Sequence, residues 1–175
     1  MNIVITNRQR TRKVNSRLLR NIAADLLAGL KIENAELGIN LVATPEMTLI
    51  NEMFLLHKGS TDVITFDYAG QATGARAARP PAAHNGTRGQ AARAPLHGEI
   101  FICVDEAILQ ARKYGTRWQS EIVRYVIHGM LHLLGHDDSR AAARRRMKRE
   151  ENRLLRRLPR RFSLAQSARA VKLVA

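Results

Sequence analysis

The chain has 175 residues, a formal charge of +14 at pH 7 and a single cysteine, Cys103. Its length fits one domain with a hydrophobic core more easily than two, and one cysteine excludes both an intrachain disulfide and a cysteine-based zinc site. Because the sequence has no signal-peptide pattern at its start and no run of about eighteen apolar residues, we expect a soluble, cytoplasmic protein.

The first part of the sequence alternates between strand and helix patterns. Residues 2–7 (NIVITN) predict a strand, and apolar residues at helical spacing after Asn15 predict a first helix. Residues 35–43 predict a second strand. A second helix is predicted over 44–58, with Thr44 as its N-cap and Pro45 at its first position. Residues 62–68 (DVITFDY) are β-branched and aromatic, and predict a third strand.

The remaining elements follow a long irregular segment. Residues 69–95 are rich in Ala, Gly, Pro and Arg without periodicity, and predict a loop inserted into the domain. Residues 99–104 (EIFICV) predict a fourth strand. Helices are predicted over 105–115 and 116–135, each ended by a glycine, and over 140–158.

These elements predict an α+β fold, in which a small mixed sheet of about four strands packs against helices. The helix over 116–135 is expected to be central and buried on its apolar side, beside the strand that contains STDVITF. Residues 1–158 would form one domain with 69–95 inserted, and 159–175 would form a basic C-terminal tail.

The positive charge is concentrated in two segments. Residues 69–95 contain four Arg and no acidic residue, and residues 139–175 contain thirteen Lys or Arg against two Glu, whereas the rest of the chain sums to −1. Basic segments beside a nearly neutral core are typical of proteins that contact polyanions, most often nucleic acids. The alternative is a set of solvated arginines that reflect only an arginine-rich proteome.

The stretch HGMLHLLGHDD, residues 128–138, combines residue types that bind metals. His128 and His132 are four apart and therefore project from one helix face, one turn apart. Gly135 allows the helix to end in a left-handed turn that brings either His136 or Asp138 back as a third ligand. Two imidazoles, a third ligand and an open position are typical of a catalytic zinc site. Without the glycine and the acidic residues, a histidine pair used only for packing would be the better interpretation.

The same spacing is metzincin-like, because it follows the zinc-protease pattern H-E-x-x-H-x-x-G-x-x-H with Asp138 at the third-ligand position. Gly129 stands where a protease has its Glu general base, and glycine cannot accept a proton from the attacking water. Peptide hydrolysis is therefore disfavoured. A degenerate metalloprotease would need a base from elsewhere, and Glu99 is the acid that we would test.

Three sequence blocks resemble the YbeY-like metal-dependent endoribonucleases of bacteria. The family signature H-G-x-L-H-L-x-G-x-D-H is matched at every fixed letter of 128–138 except the last, where Asp138 replaces His. Residues 60–68 (STDVITFDY) resemble the family's T-D-V-[IL]-[ST]-F strand, and residues 97–107 (HGEIFICVDEA) resemble its G-[DE]-I-x-I strand before a helix.

The resemblance implies cleavage of single-stranded RNA, in maturation of the small-subunit ribosomal RNA 3′ end and in ribosome quality control. It implies one zinc ion, and RNA, the small ribosomal subunit and its proteins as partners, without a membrane. His128 and His132 would be ligands, with Asp138 third by position and His136 competing. A closed site with both His136 and Asp138 bound would instead favour a ribosome-assembly RNA-binding protein whose zinc is structural.

A catalytic arginine that family members often carry is missing from the matched positions. Its place falls near Leu55, and the nearest cations are His57 and Lys58. Phosphodiester cleavage requires positive charge against the developing phosphorane. Lys58 and Arg124 are therefore the candidates for stabilising the phosphate, together with the metal.

Overall fold

The computed structural model describes residues 1–69 and 96–158, and in them four strands form one mixed sheet. The strands are β1 (Asn2–Asn7), β2 (Ala35–Val42), β3 (Val63–Asp67) and β4 (Leu96–Cys103). Their spatial order is β1-β2-β4-β3, with β1, β2 and β4 parallel and β3 antiparallel to β4. The predicted α+β fold with about four strands is confirmed, and β3 lies at an edge of the sheet.

Five α-helices accompany the sheet in the described residues. They are α1 (Ser16–Gly29), α2 (Thr44–Ile50), α3 (Val104–Tyr114), α4 (Trp118–Leu133) and α5 (Ala141–Arg157). The side chain of Asn15 accepts a hydrogen bond from the Leu18 amide and thereby caps α1. The predicted glycine end of α3 is confirmed, since Gly115 is left-handed with φ 64°.

The start and the end of α2 differ from the prediction. Ala43 occupies the N-cap position and Thr44 is already helical, so Thr44 is not the cap. The Thr44 amide donates instead to the Asp105 carboxylate, at 2.8 Å, from the first turn of α3. After Ile50 the chain forms a π-helical segment, Asn51–Leu55, which ends at Leu56 with φ 57°. A capping carboxylate 61 residues away leaves no local sequence signal.

The main hydrophobic core lies between one face of the sheet and helices α1 and α4. Along β4 the side chains alternate, so that Ile100 and Ile102 face this core whereas Glu99 and Phe101 face the other side. The core side also includes Leu26 of α1 and Val126 of α4, both buried. A smaller buried cluster on the opposite face contains Val42, Met47, Ile64 and Cys103. Helix α4 is therefore central and buried, as predicted.

The final helix was also predicted correctly. Buried positions of α5 recur at helical spacing: Ala143, Met147, Glu151 and Leu154. The eight Lys or Arg residues of α5 are all exposed. Except for Ala69, the predicted inserted loop over 69–95 lies outside the described residues, as does the predicted tail over 159–175. Within the described ranges, every helix is too short or too polar to cross a bilayer.

Candidate metal centre

The turn after α4 brings the acidic end of the 128–138 stretch back to the helix. Gly135 has φ 86°, and its amide donates to the His132 carbonyl at 2.8 Å. The His136 amide donates to the Leu131 carbonyl at 2.9 Å. This pair of hydrogen bonds is a Schellman motif, which reverses the chain at a left-handed residue. The predicted turn at Gly135 is therefore confirmed.

Two imidazoles and one carboxylate converge beyond this turn. The Nε2 atoms of His128 and His132 lie 3.1 Å apart, and each lies 3.9 Å from a carboxylate oxygen of Asp138. Ligand atoms about 2.0–2.1 Å from a shared tetrahedral ion would be separated by roughly 3.3–3.4 Å. The observed separations lie on either side of that value, so the three side chains form a group that could hold a metal ion.

The outer nitrogen of each imidazole is held by a different partner. His132 Nδ1 donates to the His136 backbone carbonyl at 3.1 Å, and His128 Nδ1 lies 2.6 Å from Glu151 Oε1. These contacts leave both Nε2 atoms turned inward, as in zinc sites where a second partner orients each histidine. His136 thus contributes its carbonyl to the site, whereas Asp138 contributes its side chain to the converging group.

The two histidines differ in their affinity for protons. Burial lowers the pKa of His128, but its hydrogen bond to Glu151 and the negative charges of Glu151 and Asp62 outweigh burial and raise it. Burial and the neighbouring His128 lower the pKa of His132, against a smaller opposing effect of Asp138. Asp62, at the start of the third predicted strand, is therefore close enough to act on the site electrostatically.

A family model described as Endoribonuclease YbeY matches residues 4–159 of the chain. The chain belongs to this family. An Endoribonuclease YbeY of Anaeromyxobacter dehalogenans is 36% identical over 141 residues, which are 81% of this chain and 63% of that relative. An Endoribonuclease YbeY of Syntrophotalea carbinolica is 31% identical over 163 residues, which are 91% of this chain and 97% of that relative. The chain thus spans less than two thirds of the first of these two relatives.

The fold is similar to a solved structure as well. The solution structure of TM1509 from Thermotoga maritima matches with a TM-score of 0.61 at 21% sequence identity, over 99% of both chains. The architecture inferred from the family resemblance is therefore confirmed independently of the motif.

The two candidates for the family's missing arginine occupy different settings. Arg124 lies one turn before His128, and its guanidinium lies 3.5 Å from Glu121 and 3.8 Å from Glu151. It also donates to Asn152 at 3.2 Å. These contacts place its guanidinium beside acidic residues of both α4 and α5. Lys58 is exposed in the loop that leads to Asp62 and β3, and remains our candidate for contacting phosphate.

In the structure, Glu99 is not positioned to act as the general base of a metalloprotease. Glu99 accepts a hydrogen bond from Tyr68 at 2.9 Å on the sheet face opposite Ile100 and α4, so it does not face the histidines. Gly129 is buried against β4, and a Cβ atom there would lie 2.6 Å from Ile100 Cγ2. A glutamate at 129 would have no room. Gly129 is thus required for close packing of α4 on the sheet.

Sequence reasoning missed Glu151, the partner of His128. The residue is only 6% exposed, on a helix whose composition suggested nothing but a basic surface. One sequence signal could have found it. Glu151 is four residues after Met147 and three before Leu154, and thus lies on the apolar stripe of the helix. An acid in that stripe requires a buried partner.

Proposed function

We propose that this chain is a metal-dependent endoribonuclease that cuts single-stranded RNA in the cytoplasm, in maturation of the small-subunit ribosomal RNA 3′ end and in ribosome quality control. Its partners would be that RNA and the small ribosomal subunit with its proteins. Family membership supports the reaction class. The observation that carries the proposal for this chain is the convergence of His128, His132 and Asp138 within one small site.

We propose zinc as the ion and His128, His132 and Asp138 as its three protein ligands. Two imidazole nitrogens and one carboxylate oxygen are a donor set that suits zinc, and three protein ligands leave one position open. A zinc ion bound there would supply Lewis-acid polarisation of the phosphodiester. The chain's own contribution is to place the proton of each neutral imidazole on Nδ1, which faces an acceptor, so that the lone pair lies on Nε2.

The surrounding charges suit an anionic polymer. Lys58, which is exposed before β3, would contact a phosphate of the RNA, and the exposed basic residues of α5 would provide a backbone-binding surface that does not read sequence. Basic residues on a surface helix favour RNA over a neutral substrate because each phosphate contact releases counterions. The preference for single-stranded RNA is carried over from the family and is part of this proposal.

Solvent access favours catalysis over the alternative of a structural zinc in an assembly protein. The Asp138 side chain is 41% exposed, and the rings of His128 and His132 are 23% and 28% exposed. A closed site would need the His136 imidazole as a fourth ligand, but in the described residues the converging ligand atoms come from His128, His132 and Asp138. An accessible three-ligand group is typical of a catalytic site, and a four-ligand shell is typical of a structural one.

A cleavage assay with metal analysis tests the proposal. Zinc content and cleavage of a single-stranded RNA from the small-subunit ribosomal RNA 3′ end would be measured for the wild type and for His132→Ala purified in parallel, so that a contaminating nuclease appears in both. We expect stoichiometric zinc and defined cleavage products only for the wild type, with loss of cleavage on chelation and recovery with zinc. Zinc-loaded wild type that binds this RNA without cutting it would establish the assembly protein instead.

A further inference from the structure

We propose that Glu151 is a positioning residue for the metal centre, which holds the His128 ring from the neighbouring helix so that Nε2 faces the other ligands. This inference rests on the proposed metal site and not on the reaction that the site performs. It concerns a contact between α4 and α5, two elements that are separated by the turn at Gly135. Glu151 Oε1 lies only 2.6 Å from His128 Nδ1.

The burial of Glu151 shows that this contact is specific. The residue is 6% exposed and stands among the apolar residues of α5 that pack on the core, such as Met147 and Leu154. A buried carboxylate is costly unless charged or hydrogen-bonding groups surround it. An apolar residue at this position would pack on the core without that cost. The carboxylate therefore requires an explanation other than packing, and the His128 ring is its nearest partner.

The contact determines which nitrogen of His128 is available to a ligand. A carboxylate accepts hydrogen bonds and favours a proton on the nitrogen that faces it, here Nδ1. The lone pair then lies on Nε2, 3.1 Å from His132 Nε2. His132 obtains the same orientation from the His136 carbonyl in its own turn. His132 is thus oriented by the turn at Gly135, whereas the orientation of His128 depends on the packing of α5 against α4.

The other carboxylate oxygen of Glu151 has a contact of its own. Its Oε1 faces His128, and its Oε2 lies 3.8 Å from Arg124 Nη1. Arg124 also approaches Glu121, which is 7% exposed, and donates to Asn152. The guanidinium therefore lies beside the carboxylate oxygen that does not face the histidine. In this arrangement Arg124 acts on the metal centre through Glu151 and does not contact the phosphate.

Zinc affinity without RNA tests the role of Glu151. Removal of the acceptor in Glu151→Ala should weaken zinc binding by about 10–100-fold, the usual effect of losing a partner that orients a histidine ligand. Glu151→Gln keeps an oxygen at the same reach and should lose less affinity. The matched control is Glu150→Ala, because Glu150 pairs with Arg153 on the outer face of the same helix. Its zinc affinity should equal that of the wild type.

Nitrogen NMR of the zinc-loaded protein provides a readout that a purely structural role would not change. In the wild type we expect His128 to bind zinc through Nε2 and to carry a slowly exchanging Nδ1 proton, which becomes fast-exchanging in Glu151→Ala. Ligation of zinc through His128 Nδ1 in the wild type overturns the proposal even if Glu151→Ala fails to fold. A folded Glu151→Ala with wild-type zinc affinity overturns it as well. Because neither experiment contains RNA, failure of the proposed nuclease function would not produce these results.

A double-mutant cycle tests the path from Arg124 to His128. If Arg124 acts through Glu151, Arg124→Ala should lower zinc affinity in the wild-type background and have no further effect in the Glu151→Gln and Glu151→Ala backgrounds. Equal, additive losses in all three backgrounds would show that Arg124 acts on the site independently. No effect of Arg124→Ala on zinc in any background would remove it from the positioning pair and return it to the phosphate-binding candidates.

Discussion

Replacement of Gly129 by alanine adds one methyl group where α4 crosses closest to the sheet. The new Cβ would lie 2.6 Å from Ile100 Cγ2 and 3.0 Å from Ile100 Cδ1. Ile100 is fully buried in the main core and its β-branched side chain has few alternative rotamers. The contact cannot be relieved by rotation of a flexible side-chain end, so α4 must move away from β4 by a large part of an ångström.

The magnitude follows from two opposing terms. Alanine is favoured over glycine in a helix by about 1 kcal/mol, whereas overpacking in a well-packed core costs about 1–3 kcal/mol. A 2.6 Å approach to a rigid branched carbon belongs to the upper part of that range. We therefore expect Gly129→Ala to lower the free energy of unfolding by about 1–2 kcal/mol. With a urea m-value of about 2 kcal/mol per M, the midpoint would fall by roughly 0.5–1 M.

Urea unfolding followed by circular dichroism measures this effect against a matched control. Gly29 is also helical, at the end of α1, but nothing lies within 4 Å of its Cβ position. Gly29→Ala should therefore be neutral or slightly stabilising. In an Ile100→Ala background the cost of Gly129→Ala should disappear, whereas Ile100→Val, which keeps Cγ2, should not relieve it. If Gly129→Ala stabilises the protein as Gly29→Ala does, our account of the α4–β4 contact is wrong.

The remaining predictions concern the ligands, the basic segments and one capping carboxylate. His128→Ala and His132→Ala should each abolish stoichiometric zinc in the purified protein, and full metal content in both would contradict the ligand assignment. Asp138→Ala should weaken zinc binding more than His136→Ala, since the carbonyl of residue 136 survives the substitution; the reverse order of affinities would make His136 the ligand. Deletion of residues 70–94 with truncation after Leu158 should weaken RNA binding and flatten its salt dependence while cleavage at saturating RNA survives; a folded truncated protein that no longer cuts would place part of these segments in the active site. Burial raises the pKa of Asp105, but hydrogen bonds from Thr44 and Thr11 outweigh it and lower the pKa in the folded state. Its stabilisation is therefore present above the unfolded-state pKa and lost as pH falls through the folded-state value. Asp105→Asn should accordingly reduce the free energy of unfolding at pH 7 and have little effect near pH 2, and an equal effect at both pH values would refute this role.

Several features of the site were predictable because they depend on short-range geometry. A helical period places residues four apart on one face, so HGMLH already implies that His128 and His132 lie together. Gly135 follows at the distance where a left-handed residue reverses the chain, and this determines that Asp138 returns toward the helix. The absence of a carboxylate at 129 likewise argues against a protease from the sequence alone.

Other features depend on which elements become neighbours. The sequence contains these residues but does not show which of them come into contact. The strand order β1-β2-β4-β3 and the face to which Glu99 points follow from sheet assembly. The start of α2 is stabilised by Asp105 from another helix, a partner that the local pattern predicting Thr44 as the cap does not contain.

The sequence by itself determined the order of the helices and strands, the histidine pair and the turn that brings Asp138 back, because hydrophobic period, glycine conformation and side-chain spacing act over a few residues. Only the tertiary structure decided that Glu151 faces His128 and that Gly129 packs on Ile100. Both contacts join residues more than twenty positions apart, whose proximity results from burial of the apolar faces of α4, α5 and β4 in one core. Hydrophobic burial is nondirectional, so a linear pattern specifies which face is buried but not which residue it meets.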